Sequence, residues 1–83
     1  MLNYKNKTNM KIKDFIKRFR EELEIETEID QNTEFRQLNE WSSLAGLTVI
    51  AMVDEEYGVT IKADEIRQAK TIQELFDLVS SKL

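Results

Sequence analysis

Between Lys11 and Glu24 the apolar residues Ile12, Phe15, Ile16, Phe19 and Leu23 recur at i, i+3, i+4, i+7 and i+11. That spacing lines one face of an α-helix and neither face of a strand. It constrains the fold more than any other feature, because an isolated amphipathic helix is marginal in water and must bury its stripe against another element. The rest of the chain offers chiefly more helix for that purpose. There is no proline and no internal repeat. Val59 and Ile61, spaced two apart, find no second strand signal to pair with and are expected to anchor a loop. The fold class expected is all-α, a small four-helix bundle with three longer helices and one short third helix.

The second helix is expected to open at Ser42 or Ser43 and run to about Tyr57. Leu44, Leu47, Ile50, Ala51 and Val53 make its apolar face, and Gly58 stands just past its end, where a positive φ is needed. Leu47, Ile50 and Ala51 read either as ordinary core or as the lining of a pocket between helices. A short helical turn around Asp64 to Arg67 turns Ile66 inward. TIQE, residues 71–74, then reads as a capping box opening the last helix, whose stripe is Ile72, Leu75, Phe76, Val79 and Leu83. Residues 25–41 lose the helical period. So long a connection is expected to be pinned to the core by Ile25, Ile29, Phe35, Leu38 and Trp41. Residues 1–9 show no periodicity and read as a flexible N-terminal extension, with the helical domain spanning 10–83.

Charge and missing residue types narrow the function. With no cysteine in the 83 residues there is no disulfide framework, thiolate nucleophile or zinc–thiolate site. With no histidine, a serine nucleophile would lack its usual activator. The chain is therefore not expected to be an enzyme. Residues 1–20 hold seven basic residues and one acid, whereas residues 21–83 hold five basic and fifteen acidic residues, a net of −10. Such a body repels phosphate backbones and attracts basic protein surfaces. Nucleic acid is not the expected partner, and a nucleic-acid-binding domain using the basic N-terminal segment is the weakest reading. No apolar run approaches the roughly 20 residues of a membrane span. The lysines near the N-terminus precede no apolar secretory segment. A cytoplasmic location with no membrane partner is expected.

Two of the four serines stand side by side in NEWSSLAGL, residues 39–47. Ser42, directly before an apolar helical run, suits an N-cap. Ser43 then falls at the first helical position, with its hydroxyl beside free amides at the positive end of the helix dipole. That is a place for a phosphate, bound or attached. The same helix ends in Asp54-Glu55-Glu56, an unfavourable ending for the dipole, which reads either as a solvated surface or as a docking surface for a basic partner.

Taken together, EWSSLAGLTVIAMVDEEYGVTI, the following KADEI and TIQELFDLV resemble the acyl carrier proteins in order and spacing over residues 11–83. In that family an Asp-Ser-Leu motif opens the second helix, which closes with acids and an aromatic residue. The resemblance implies an acyl-carrier-like bundle and places 4′-phosphopantetheine, derived from coenzyme A, on Ser43. It makes Leu44 the following leucine and Trp41 the preceding aromatic. The thiol missing from the chain would lie on this prosthetic arm, carrying an acyl or aminoacyl group as a thioester in a fatty-acid, polyketide or related pathway. A phosphopantetheinyl transferase and acyl-transferring or ketosynthase-type enzymes with basic docking surfaces are the implied partners of a phosphoprotein acting as a monomer. Trp41, Ser42, Leu44, Asp54, Glu55 and Glu56 are the expected partner-binding residues. Three positions depart from the family pattern: Ser42 replaces the motif aspartate, and Ala45 and Thr48 stand where the fatty-acid type commonly has acids. They favour a specialised pathway over the housekeeping one. The alternative is an unmodified helical adaptor binding a partner through the same helix face.

Overall fold

The computed structural model describes residues 11–83. The expected extension, residues 1–9, and the domain start at residue 10 lie outside the described residues. The first stripe forms α1 (Ile12–Glu22), with Phe15 and Phe19 fully buried and Ile16 and Leu23 packed against the core. Its Lys11, Lys13 and Lys17 side faces solvent. The helix ends earlier than its sequence period. Glu24 turns into the left-handed region at φ 53°, and the amides of Glu24 and Ile25 donate to the carbonyls of Glu21 and Arg20 at 3.2 and 3.0 Å. These paired bonds make a Schellman ending, whose left-handed position is normally glycine because a Cβ crowds the backbone there.

Three further helices follow: α2 (Ser43–Tyr57), the short α3 (Ala63–Gln68) and α4 (Ile72–Ser81). No strand occurs among the described residues, so the expected all-α architecture of three longer helices and one short one is the one formed. Val59 and Ile61 are buried in the connection between α2 and α3 as loop anchors. Gly58 ends α2 at φ 67°, its amide donating to Asp54 at 2.9 Å.

The buried face of α2 differs from the one expected. Ala45, Val49, Met52 and Val53 face the core, and of the expected set only Val53 is fully buried. Ile50 is half-buried, Ala51 is exposed, and Leu44 and Leu47 are 71% and 62% exposed. The reason is that α2 is apolar on nearly every side, so its own sequence does not select a face. The aromatic residues of α1 and the long connection do. Leu83 likewise lies outside the stripe of α4 at 47% exposure, while Ile72, Leu75 and Val79 are buried.

The connection 25–41 is pinned as expected, with Ile25 and Phe35 buried and Ile29, Leu38 and Trp41 packed against the core. It also contains a 3₁₀ turn at Phe35–Gln37 that the sequence pattern does not announce. Its carbonyls serve the last helix. Thr33 and Gln31 accept from the amides of Ile72 and Gln73 at 3.1 and 2.8 Å, two of the first-turn donors that no helix can satisfy internally. Thr71 completes the start by accepting from the Glu74 amide at 3.2 Å. The Glu74 carboxylate reaches back one residue further than a standard capping box, to the Lys70 amide at 2.7 Å. On the opposite side Arg18 joins α1 to α2 by an ion pair with Glu56 at 3.0 Å, beside its pairs with Glu21 and Glu22.

Two stability predictions follow from these ends. Glu24→Gly relieves the left-handed strain and is expected to raise unfolding free energy by about 0.5–1 kcal/mol in urea titration. The Glu65 carboxylate is held below the usual carboxylate range, first by Lys82 at 2.8 Å and then by the Lys62 amide at 2.9 Å. A lowered native pKa stabilises above the unfolded value and is lost as pH falls through the native one. Thermal melts from neutral pH down to the acid side of that range should therefore show a loss in the native chain that is smaller in Glu65→Gln.

Candidate functional site

Trp41 sets the geometry at the start of α2. Its indole stacks on Phe19 with centroids 6.4 Å apart and planes 5° from parallel, and Phe35 meets it edge-on at 5.0 Å. One residue later Ser42 is fully extended, at φ −159° and ψ 177°. Its Oγ accepts from the Ala45 amide at 3.2 Å and its carbonyl from the Gly46 amide at 3.1 Å. Ser42 is thus the N-cap.

Ser43 is the first helical residue and is exposed. Its hydroxyl has no hydrogen-bond partner among the described residues, and the amides of Ser43 and Leu44 find no acceptor there. The two serines therefore divide two roles: one oxygen is engaged by the helix and the other is free. The free hydroxyl stands where backbone N–H groups and the dipole favour an anion.

A cleft of about 500 Å³ opens beside it between α2 and α3. Trp41, Leu47, Ile50 and Ile66 supply apolar lining, and Ser43, Arg36 and Arg67 line the same space. A Cβ on Gly46 would meet Cζ2 of Trp41 at 3.7 Å, an ordinary contact, so glycine leaves that part of the cleft unfilled. Arg67 is paired with Asp64. Arg36 is fixed differently, its Nε and Nη2 donating to the Ala69 carbonyl at 3.2 and 3.0 Å. It has no carboxylate partner among the described residues.

Of the other residues singled out from sequence, Leu44, Asp54 and Glu55 fall on one side of α2. Leu44 is exposed beside Ser43, and Asp54 and Glu55 are exposed at the far end, in no ion pair among the described residues. Glu56 is exposed too but is held by Arg18. Trp41 contributes as an anchor more than as a surface, being half-buried against two phenylalanines. Sequence reasoning did not find Arg36 and did not place Leu47 outside the core. The one sequence signal for Arg36 is its position next to the pinning residue Phe35. Among the described residues no cluster of metal-ligating side chains forms, and no helix is long and apolar enough to cross a membrane.

The division between the serines gives a stability prediction. Ser42→Ala removes the cap and should cost about 1 kcal/mol in urea titration, while Ser42→Asp, which also caps and opposes the dipole favourably, should not.

The model of the phosphopantetheine attachment site matches residues 13–79, most of the chain. Comparisons with curated proteins and with solved structures returned no significant match. Carrier domains of this kind hold 4′-phosphopantetheine covalently, receive it from a phosphopantetheinyl transferase and interact with biosynthetic enzymes, and they are not themselves catalytic. With its helical bundle, its serine at the start of α2 and this match, the chain belongs to the phosphopantetheine-attachment family and is an acyl-carrier-like carrier.

Proposed function

We propose that this chain is a discrete acyl carrier bearing 4′-phosphopantetheine on Ser43. The observation that carries the reading is the contrast between the two serines: Ser42 Oγ is used by the Ala45 amide, whereas Ser43 Oγ is exposed and unengaged among the described residues. In the attachment reaction Ser43 Oγ forms a phosphodiester bond as the pyrophosphate of coenzyme A breaks, releasing adenosine 3′,5′-bisphosphate. The serine proton leaves to a base on the transferase, the chain having no histidine of its own. When bound, the arm supplies the thiol that a cysteine-free chain lacks, and an acyl or aminoacyl group is carried on it as a thioester. The chain's own residues cap the helix, hold the attachment point at the surface and present a face to partner enzymes; they perform no catalysis.

That face supports a specialised pathway more than housekeeping fatty-acid synthesis. Ala45, at one position where acids are common in the fatty-acid type, is buried. Thr48, at the other, turns its hydroxyl onto the Leu44 carbonyl at 3.1 Å. What α2 offers a partner is Leu44 and Leu47 near the serine, then Asp54 and Glu55. Acyl-transferring or ketosynthase-type enzymes with an apolar contact near their active-site entrance and basic residues further out fit this order. A monomer working in the cytoplasm completes the reading. The exposed leucines would equally serve an unmodified adaptor, and covalent attachment separates the two.

Incubation with coenzyme A and a broad-specificity phosphopantetheinyl transferase, followed by intact-mass measurement, tests the assignment. One phosphopantetheine should be gained by the native chain and by Ser42→Ala, and none by Ser43→Ala. A gain lost only in Ser42→Ala would move the attachment point by one residue, and no gain in any of them would favour the adaptor.

A further inference from the structure

The charged residues that line the cleft beside Ser43 are both arginines, Arg36 and Arg67, and no acid among the described residues joins them there. The first turn of α2 holds no acid either. Glu40, the acid nearest to Ser43 in sequence, does not line the cleft. Arg67 is offset by Asp64. Arg36 is exposed and has no carboxylate partner among the described residues. It is also held in place. Its Nε and Nη2 donate to the Ala69 carbonyl at 3.2 and 3.0 Å, and its guanidinium carbon lies 6.0 Å from the centre of the Phe35 ring. A cation fixed in this way has little side-chain freedom left to lose when another charge pairs with it. The acids of α2 begin only at Asp54, roughly 16 Å further along the helix. Within a body of net charge −10 over residues 21–83, the serine end of the docking face is thus a local positive spot and the far end is negative.

We infer that Arg36 determines which enzymes this carrier accepts. The enzyme that fits it presents a carboxylate to Arg36 beside the mouth of its active site and basic side chains to Asp54 and Glu55 further out. An enzyme that is basic along the whole contact is attracted at the far end and repelled at the serine end. The inference rests on the carrier reading and adds to it the charge pattern of the partner. Charge complementarity of this kind acts on encounter and on the choice between partners more than on raw affinity. A like charge held opposite a fixed guanidinium rejects the wrong partner, and a carboxylate there gains a charge-assisted hydrogen bond from Nη1, which has no partner among the described residues. The effect of one such pair is modest and screened by salt, because both groups are exposed before docking.

The test uses the full-length chain, with intact mass after the broad-specificity transferase confirming attachment at Ser43 first. Absence of that gain would overturn the carrier reading itself, a separate outcome. Initial rates of attachment are then measured with a phosphopantetheinyl transferase of the fatty-acid type, whose docking surface is basic. The same enzyme is also used with the basic residue nearest its active-site mouth changed to glutamate. With the parent enzyme at about 0.05 M salt, Arg36→Gln should have a KM up to about fivefold below that of the native chain, with kcat little changed, and Arg36→Lys should stay near native. At about 1 M salt the difference should vanish. With the glutamate enzyme the order should reverse, the native chain having the lower KM. The native chain should also have a lower KM with the glutamate enzyme than with its parent, and that comparison decides the matter if loss of the Ala69 contact unfolds Arg36→Gln. Equal KM values for native and Arg36→Gln at low salt, a difference that survives 1 M salt, or the same order with both enzymes would each overturn the inference.

Discussion

The packing of Trp41 onto Phe19 and Phe35 fixes where α2 begins, and the site depends on that. Residues 25–41 form a connection with little regular structure, and a chain of that kind can shift unless side chains pin it. Phe35 is fully buried, and Trp41 closes the connection with one face along Phe19 and an edge contact to Phe35. Aromatic pairs of this kind contribute about 0.5–1.5 kcal/mol each beyond the area they bury. Ser42 and Ser43 follow the indole directly in sequence, so the cap and the free hydroxyl inherit its position. The same rings present α1 to α2, and this selects which side of an otherwise undirected helix turns inward.

The connection also acts as a framework for the second half of the bundle. Its carbonyls at Gln31 and Thr33 receive the first amides of α4, and Arg36 holds the junction between α3 and α4 through Ala69. These bonds join segments more than thirty residues apart, and each engages a main-chain amide or carbonyl that would otherwise need water. Buried backbone polar groups must be paired, and here the irregular segment and the helix starts satisfy one another. The consequence for function is that Ser43, Trp41, Arg36 and the α3 wall of the cleft belong to one connected body.

How much was legible follows from the same physics. For α1 and α4 one face is apolar and the other charged, so period alone found them, and Thr71 marked the start of α4. The serine cap at α2 was equally readable, because a serine before an apolar run has one obvious use. The inward face of α2 was not, since Leu44, Leu47 and Ala51 are as apolar as Ala45, Val49, Met52 and Val53. Only tertiary contacts separate those two sets. The early end of α1 was hidden because Glu24 gives no glycine signal for its left-handed turn. The cleft was invisible for a different reason: its lining comes from residue 36, residues 41–50 and residues 63–67, and no local pattern joins them.

Two features of α2 have no use in the stability of this bundle. Leu44 and Leu47 leave apolar surface in water, at roughly 25 cal/mol per Å² of burial forgone. Asp54 and Glu55 put negative charge at the helix end where the dipole disfavours it, and only their neighbour Glu56 is compensated, by Arg18. At about 100° per residue, positions 44, 47, 51, 54 and 55 fall on one face, and all five are exposed. Two independent local costs on one stripe, apolar near the free serine and acidic at the far end, make a surface with a direction. A single partner that covers the leucines with apolar side chains and meets the acids with basic ones would relieve both, with Ser43 at the apolar end of the contact.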